Sequence, residues 1–322
     1  MPPRPIARRA MLLALMLAAP ALRAQPDSSR EGLWTLDADV SDRDAYLRLD
    51  MERHGTWGNW STGSRVPFER LRGLTRAQSE SAEGQNVRFE LPRDAGTLRF
   101  EGWMRRGRGS GHFTWAPSPT FAAELARRGL ERPDERDMFE LTMHDVGFAL
   151  VDELARQGYE RPTLEELVTL GRHGVTLDYV TALDRLGYRV KEIEVLRQLR
   201  DHGVTPQYIE GLRKAGFRDL SAEDLRVARD HGVTPEVIDE YAALGYRDLD
   251  IDEVRTLVDH GVRPEFIKAM ARAGYAKLST TDLRRARDHG VTPAFARMAR
   301  ERAGRDVSLD EVIRMKDRGW DP

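Results

Sequence analysis

A histidine recurs every 29 residues in this chain of 322: His144, His173, His202, His231, His260 and His289, with Arg318 in the next slot. From His173 onward each histidine is followed by Gly-Val, and usually then by Thr-Pro. Up to Tyr275, the thirteenth residue beyond each such Val is an aromatic preceded by Gly, as in Gly245-Tyr246, and an acidic helix start follows. A fixed period of this size marks a stack of supersecondary units, each burying its apolar face against the next.

Each unit reads as two helices with their stops written out. Ser221 stands at an N-cap with Asp224 three residues on, the spacing of a capping box. The same slot holds Asp134, Thr163, Asp250, Ser279 and Ser308, each with an acid three residues later; Glu192, followed by Val195, departs from the rule. Gly232 ends the first helix in a left-handed turn, Thr234 caps the second with Pro235 at its first position, and Gly245 stops it. One apolar column runs Phe121, Leu150, Tyr179, Tyr208, Val237, Phe266, Phe295, and its neighbour runs Ala122, Val151, Val180, Ile209, Ile238, Ile267, Ala296. Helices of about ten residues are not stable alone in water, so adjacent units must cover these stripes. In the last unit Ala303-Gly304 replaces Gly-aromatic and Gly319-Trp320 replaces Gly-Val, as expected of a terminal capping repeat.

Residues 25–118 lack the repeat. Leu47, Leu49 and Met51 alternate with charged neighbours, and Val87–Leu91, Thr97–Met104 and Gly111–Trp115 are further short strand-like runs. Turn residues at 92–96 and 106–110 separate them, and a short helix is expected near Phe68–Leu74. The expected fold class is therefore α+β: a small antiparallel β domain over 25–118, then an α-solenoid of 29-residue helical hairpins over 119–322.

Residues 1–24 are different material. Arg4, Arg8 and Arg9 precede an apolar run from Met11 to Ala19, with small-residue exits at Ala21 and Ala24. This pattern predicts a secretory signal peptide, too short to span a bilayer comfortably, and leaves Sec and twin-arginine export both open. The mature chain is then expected to be periplasmic, with no stable membrane span. Cysteine is absent, which closes disulfides, thiol catalysis, thiolate metal sites and a lipoprotein anchor. The net charge of −2, with five lysines and a majority of arginine, argues against a nucleic-acid partner.

No catalytic, cofactor or metal residue is assigned; His-Glu-x-x-His, Gly-x-Ser-x-Gly and Ser-x-x-Lys motifs are all missing. Gly107-Arg108-Gly109-Ser110-Gly111 lies between expected strands and reads as a turn rather than a phosphate loop. Ladder histidines one repeat apart, roughly 10 Å, cannot share a zinc whose ligands lie about 2 Å from the ion. Each is expected to serve a helix C-terminus, bonding a free carbonyl. Arg197, Arg226, Arg255 and Arg284 form a second column that could offer guanidinium groups to carboxylates of a protein or glycan. Asp201, Asp230, Asp259 and Asp288 follow at i+4, so local ion pairing is the competing account. Trp57 and Trp60 flank Gly58-Asn59 and could form a stacking platform for a sugar or peptide, although tryptophans of small β domains more often build the core.

The run Val87-Arg-Phe-Glu-Leu-Pro-Arg-Asp-Ala-Gly-Thr-Leu-Arg-Phe-Glu-Gly102 and the phrase Met143-His-Asp-Val146, followed by the Gly-Tyr and His-Gly-Val repeats, are distinctive. Together they resemble the extracytoplasmic region attached to some antirepressor-type, β-lactam-sensor-like bacterial membrane metallopeptidases, over most of residues 31–322. The family's membrane helices, zinc motif and penicillin-binding serine motif are missing, so peptidase and β-lactam acylation do not carry over. The resemblance implies an envelope module that recognises a partner in signalling or stress response. The expected function is non-enzymatic protein or peptide binding on the solenoid; the alternative is cell-wall glycan or muropeptide binding through the Trp-rich β domain.

Overall fold

The computed structural model describes residues 30–38, 46–55, 58–303 and 306–320; the expected signal peptide lies outside them. Six strands, β1 (Glu31–Ala38), β2 (Tyr46–Gly55), β3 (Gly58–Pro67), β4 (Gln85–Arg93), β5 (Gly96–Arg105) and β6 (Arg108–Pro117), form one antiparallel sheet in the order β3-β2-β1-β6-β5-β4. Strand periodicity anticipated β2, β4, β5 and β6 but neither β1 nor β3. Much of β3, Gly58-Asn-Trp-Ser-Thr-Gly-Ser64, has no apolar alternation to reveal it, and it exists because β2 offers it a paired edge.

The sheet is strongly coiled. Three strand spacings of about 4.8 Å separate β1 from β4 along the sheet, yet the rings of Trp34 and Phe89 are 5.3 Å apart. The buried concave face thus packs against itself around Trp34, Phe89, Phe100 and Phe113. Gly102 and Gly109 form a bare floor beneath the Trp34 indole, whose Nε1 donates to the carbonyls of Glu101 and His112, both at 3.1 Å. A Cβ on Gly102 would lie 2.2 Å from the Ser110 carbonyl oxygen and 2.7 Å from the indole, which is why these positions must be glycine. The expected helix near Phe68–Leu74 is a 3-10 turn at Phe68–Arg70; the α-helix, α1 (Arg76–Glu80), comes after it behind a Thr75–Gln78 capping box. Between them Arg72 exchanges two backbone hydrogen bonds of 2.8 Å with Glu90, covering part of the β4 edge.

The chain leaves β6 through α2 (Phe121–Arg127) and enters the array. Its helices are α3 (Glu135–Met143) and α4 (Phe148–Gln157), α5 (Leu164–Arg172) and α6 (Leu177–Arg185), α7 (Ile193–Asp201) and α8 (Pro206–Lys214), α9 (Ala222–Asp230) and α10 (Pro235–Ala243). Then come α11 (Ile251–Asp259) and α12 (Pro264–Arg272), α13 (Thr280–Asp288) and α14 (Pro293–Ala303), and the closing α15 (Leu309–Asp317). First helices pack on first helices and second on second, making two layers. Every anticipated N-cap of a first helix accepts the expected hydrogen bond, and Glu192 makes none. Gly232, at φ 70°, closes α9 with hydrogen bonds Gly232 N to Arg229 O and Val233 N to Ala228 O, a Schellman end.

Tyrosines stitch unit to unit. The hydroxyls of Tyr179 and Tyr208 donate to the carbonyls of Val204 and Val233, 25 residues ahead. Where the column switches to Val237, Tyr241 takes over one turn later and donates to Val262 at 2.6 Å. Burial pushes the Tyr208 and Tyr241 phenols up to about 12, so both remain protonated donors. Tyr241→Phe is therefore expected to cost about 1 kcal/mol in urea unfolding by stranding the Val262 carbonyl; an unchanged midpoint would show that water replaces the bond.

The first unit departs from the repeat where it meets the sheet. Asp145 occupies the left-handed slot, φ 57°, that glycine holds in every later unit. Its carboxylate takes two hydrogen bonds from Arg70, at 2.5 and 3.1 Å, and lies 3.4 Å from Nε of Arg93. Arg93 is buried and donates to the carbonyls of Thr142 and Met143 at the end of α3, at 2.5 and 2.7 Å. Gly147 stands where four of the five later units carry a capping threonine, and Asp94 of the β4–β5 turn accepts from Phe148 N in its place. Trp115 Nε1 donates to the buried Thr142 hydroxyl at 3.0 Å, completing a polar junction between sheet and solenoid.

Candidate interaction surface

The histidine ladder is a ladder of inter-unit bonds. Each ring sits at the C-cap of a first helix, and its Nδ1 meets the aspartate that ends the first helix of the following unit. The distances are 2.5 Å for His173–Asp201, 2.6 Å for His202–Asp230, 2.7 Å for His231–Asp259, 2.6 Å for His260–Asp288 and 2.8 Å for His289–Asp317. The expected carbonyl partner is thus corrected to a carboxylate. A carboxylate only accepts, so Nδ1 carries the proton in each bond of this row of partly exposed rings. His144 stands outside the row because Arg172 occupies the aspartate slot of the next unit. Glu140 compensates, with Arg172 at 3.3 Å and His144 at 3.6 Å. Burial works against the Glu140 charge, but those two partners prevail and hold its carboxyl below the usual range.

Two arginine columns flank this row and differ in kind. Arg197, Arg226 and Arg255 are each about 70% buried and lie between two acids of their own helix: Glu194 and Asp201, Glu223 and Asp230, Asp252 and Asp259. The local pairing foreseen as the competing account therefore holds for these three, and the expected open guanidinium stripe is instead a mixed-charge band. The hydrogen bonds that Arg197 and Arg226 donate to Glu194 and Glu223 raise their guanidinium values. Arg284 differs: Thr281 replaces the acid at i−3, and among the described residues it makes no ion pair.

The second column, Arg200, Arg229 and Arg287, reaches across the unit boundary. These guanidinium groups lie 5.4, 5.1 and 5.0 Å from the ring centres of Tyr179, Tyr208 and Phe266. Arg200 also donates to the Gly174 carbonyl at 2.9 Å. Where the aromatic becomes Val237, the cation 21 residues on becomes Val258, so each boundary keeps a matched pair.

Trp57 lies outside the described residues. Trp60 falls in β3, paired with Arg53 of β2, and its side chain also lies outside them. Trp34 and Trp115 are core residues, whereas Trp103 is 46% exposed on the convex face. Among the described residues no three His, Asp or Glu side chains converge as a metal site would require, and no helix is long and apolar enough to cross a membrane.

Fold and surface together define an α+β protein in which a coiled antiparallel sheet caps a helical-repeat array with a periodic polar band. No protein-family model and no curated protein matches the chain.

Proposed function

We propose that this chain is an exported, non-enzymatic interaction module that binds a protein or peptide along the polar band of its solenoid. The observation that carries this reading is the repetition of partly exposed polar positions as faithfully as buried apolar ones. Five His–Asp bonds and three acid-bracketed arginines recur in register on one band, giving a long surface of like-spaced hydrogen-bonding groups. Such a surface suits an extended partner of mixed charge better than a small molecule, which needs a concave pocket. Placement in the bacterial envelope follows from the leader-like residues 1–24 and the resemblance to sensor-associated extracytoplasmic regions, and a signalling or stress-response role goes with it.

Because Arg93 and Trp115 bury polar contacts between sheet and array, the full chain is the appropriate bait rather than its two halves. Cross-linking in the periplasm with the wild type and with the triple variant Arg226→Gln, Arg255→Gln, Arg284→Gln tests the band. Loss of a specific partner from the variant, with a melting temperature within a few degrees of the wild type, is the expected result. Capture of the same partner by both proteins would remove these arginines from the interface.

A further inference from the structure

Among the described residues the last helix of the array, α15, presents a face built like the internal joints. Met315 continues the column Leu141, Leu170, Leu199, Ala228, Leu257, Ala286, all at most 1% exposed, yet it is itself only partly buried. Trp320 continues the column Val146, Val175, Val204, Val233, Val262, Val291, all at most 3% exposed, and is also only partly buried. In each earlier unit the next hairpin covers these positions. Here the indole leans edge-on against Phe295, at 5.7 Å, and leaves part of the apolar column open.

The polar half of the joint is open too. Arg318 stands in the histidine slot, where Asp201, Asp230, Asp259, Asp288 and Asp317 each reach back to the histidine 28 residues earlier. Arg302 and Arg314 line the same recess with Met315, Arg318 and Trp320, and Glu311, tied to the Ser308 cap, adds one carboxylate. Among the described residues these three arginines make no ion pair, unlike Arg197, Arg226 and Arg255 inside the array. An apolar strip rimmed by three guanidinium groups against the single carboxylate of Glu311 keeps a net positive rim and selects an apolar stripe flanked by carboxylates.

We propose that the end face of the solenoid docks an acidic amphipathic helix of a partner protein, which continues the array and sets a carboxylate against Arg318 as Asp317 is set against His289. The proposal rests on the interaction-module reading and names a site that reading does not. The joint it extends is the interface already formed between successive units. Valine-to-tryptophan replacement enlarges the contact, and arginine in place of histidine keeps its charge at any pH the partner meets.

The chain's own hairpin Ser221–Tyr246 is a suitable probe, because it already packs on such a joint and carries six acids against two arginines. A fluorescein-labelled peptide of this sequence, titrated with the full-length protein and followed by anisotropy, is expected to saturate. Arg318→Glu should weaken binding at least tenfold, and a peptide carrying Asp230→Arg should recover it on that variant. Trp320→Val restores the residue of the internal joints and should keep binding, whereas Met315→Glu should abolish it. A flat titration with both the wild type and Trp320→Val overturns the proposal. So does sedimentation showing a dimer that Arg318→Glu and Met315→Glu dissociate, since the face would then belong to a second copy. If the end face fails while the triple Gln variant still loses its partner, only this site falls and the module reading stands.

Discussion

Replacing Arg93 with alanine is expected to lower the unfolding free energy by about 3 kcal/mol, the scale set by stranding buried partners of a charged hydrogen-bonding group. The substitution leaves the Thr142 and Met143 carbonyls facing a void and removes one of the two cations holding Asp145. Arg93→Lys should recover only part of the loss, because a single ammonium cannot reproduce the fork that spans two carbonyls and a carboxylate. Exposed Arg99, paired with Glu90, is the control, and its alanine variant should cost at most about 1 kcal/mol. The acid limb of the stability curve gives a second readout. Burial pushes the Asp145 carboxyl up, but the hydrogen bonds from Arg70 and the charges of Arg93 and Arg70 outweigh it, so its folded value lies below the ordinary 3.8. A carboxylate depressed by folding contributes stability that is fully present above its unfolded value and is lost as pH falls through the folded one. Urea midpoints of the wild type should therefore drop as the pH falls below about 4, and that drop should shrink in Arg93→Ala. Equal acid slopes in the two proteins would show that Arg93 does not hold Asp145.

Asp145 also shows where sequence reading stops. Its departure from the repeat is plain, since His144-Asp145-Val146 replaces His-Gly-Val, and Gly147 departs beside it where threonine caps most later units. What they meet is not plain, because Arg70, Arg93 and Asp94 lie 52 to 75 residues away and reach them only through the coil of the sheet. Helices, caps and apolar columns are legible because their spacing is local and recurs seven times. The His–Asp bonds were within reach of the same logic: the aspartate stands one residue before the next histidine slot, so a partner one period ahead lies 28 residues on. Reading that aspartate only against the arginine four residues before it hid the inter-unit bond, although both contacts exist at Asp201 and Asp230. The glycines beneath Trp34 were legible as a turn region but not as the bed of an indole from another strand. Trp57 and Trp60 lie where the described side chains stop.

Excising one period is expected to leave a folded protein, and excising two residues fewer is not. Removing residues 226–254 joins Leu225 to Arg255 within a helix and reads Ala-Glu-Asp-Leu-Arg-Thr-Leu-Val-Asp-His, with every column in register. The Ser221 cap is kept, His202 meets Asp259, and the Tyr208 hydroxyl inherits the Val262 carbonyl that Tyr241 served. The fused joint brings Val258 to Tyr208 in place of Arg229, forfeiting a cation–π contact worth about 0.5–1 kcal/mol and a few degrees of melting temperature. Removing residues 226–252 instead joins Leu225 to Glu253 and turns everything beyond by about 200° about the helix axis. Val254 and Leu257 then face solvent, and Asp259 turns away from His202. Because each unit draws its stability from its neighbours, the damage spreads from the joint to the C-terminus. Thermal melts followed by circular dichroism should show one cooperative transition for the in-register deletion. The off-register deletion should lose helical signal before that transition and be cut by protease beyond Leu225. If both deletions melt alike, the units are not coupled through the columns and ladder seen here, and the periodic surface loses its rigid spacing.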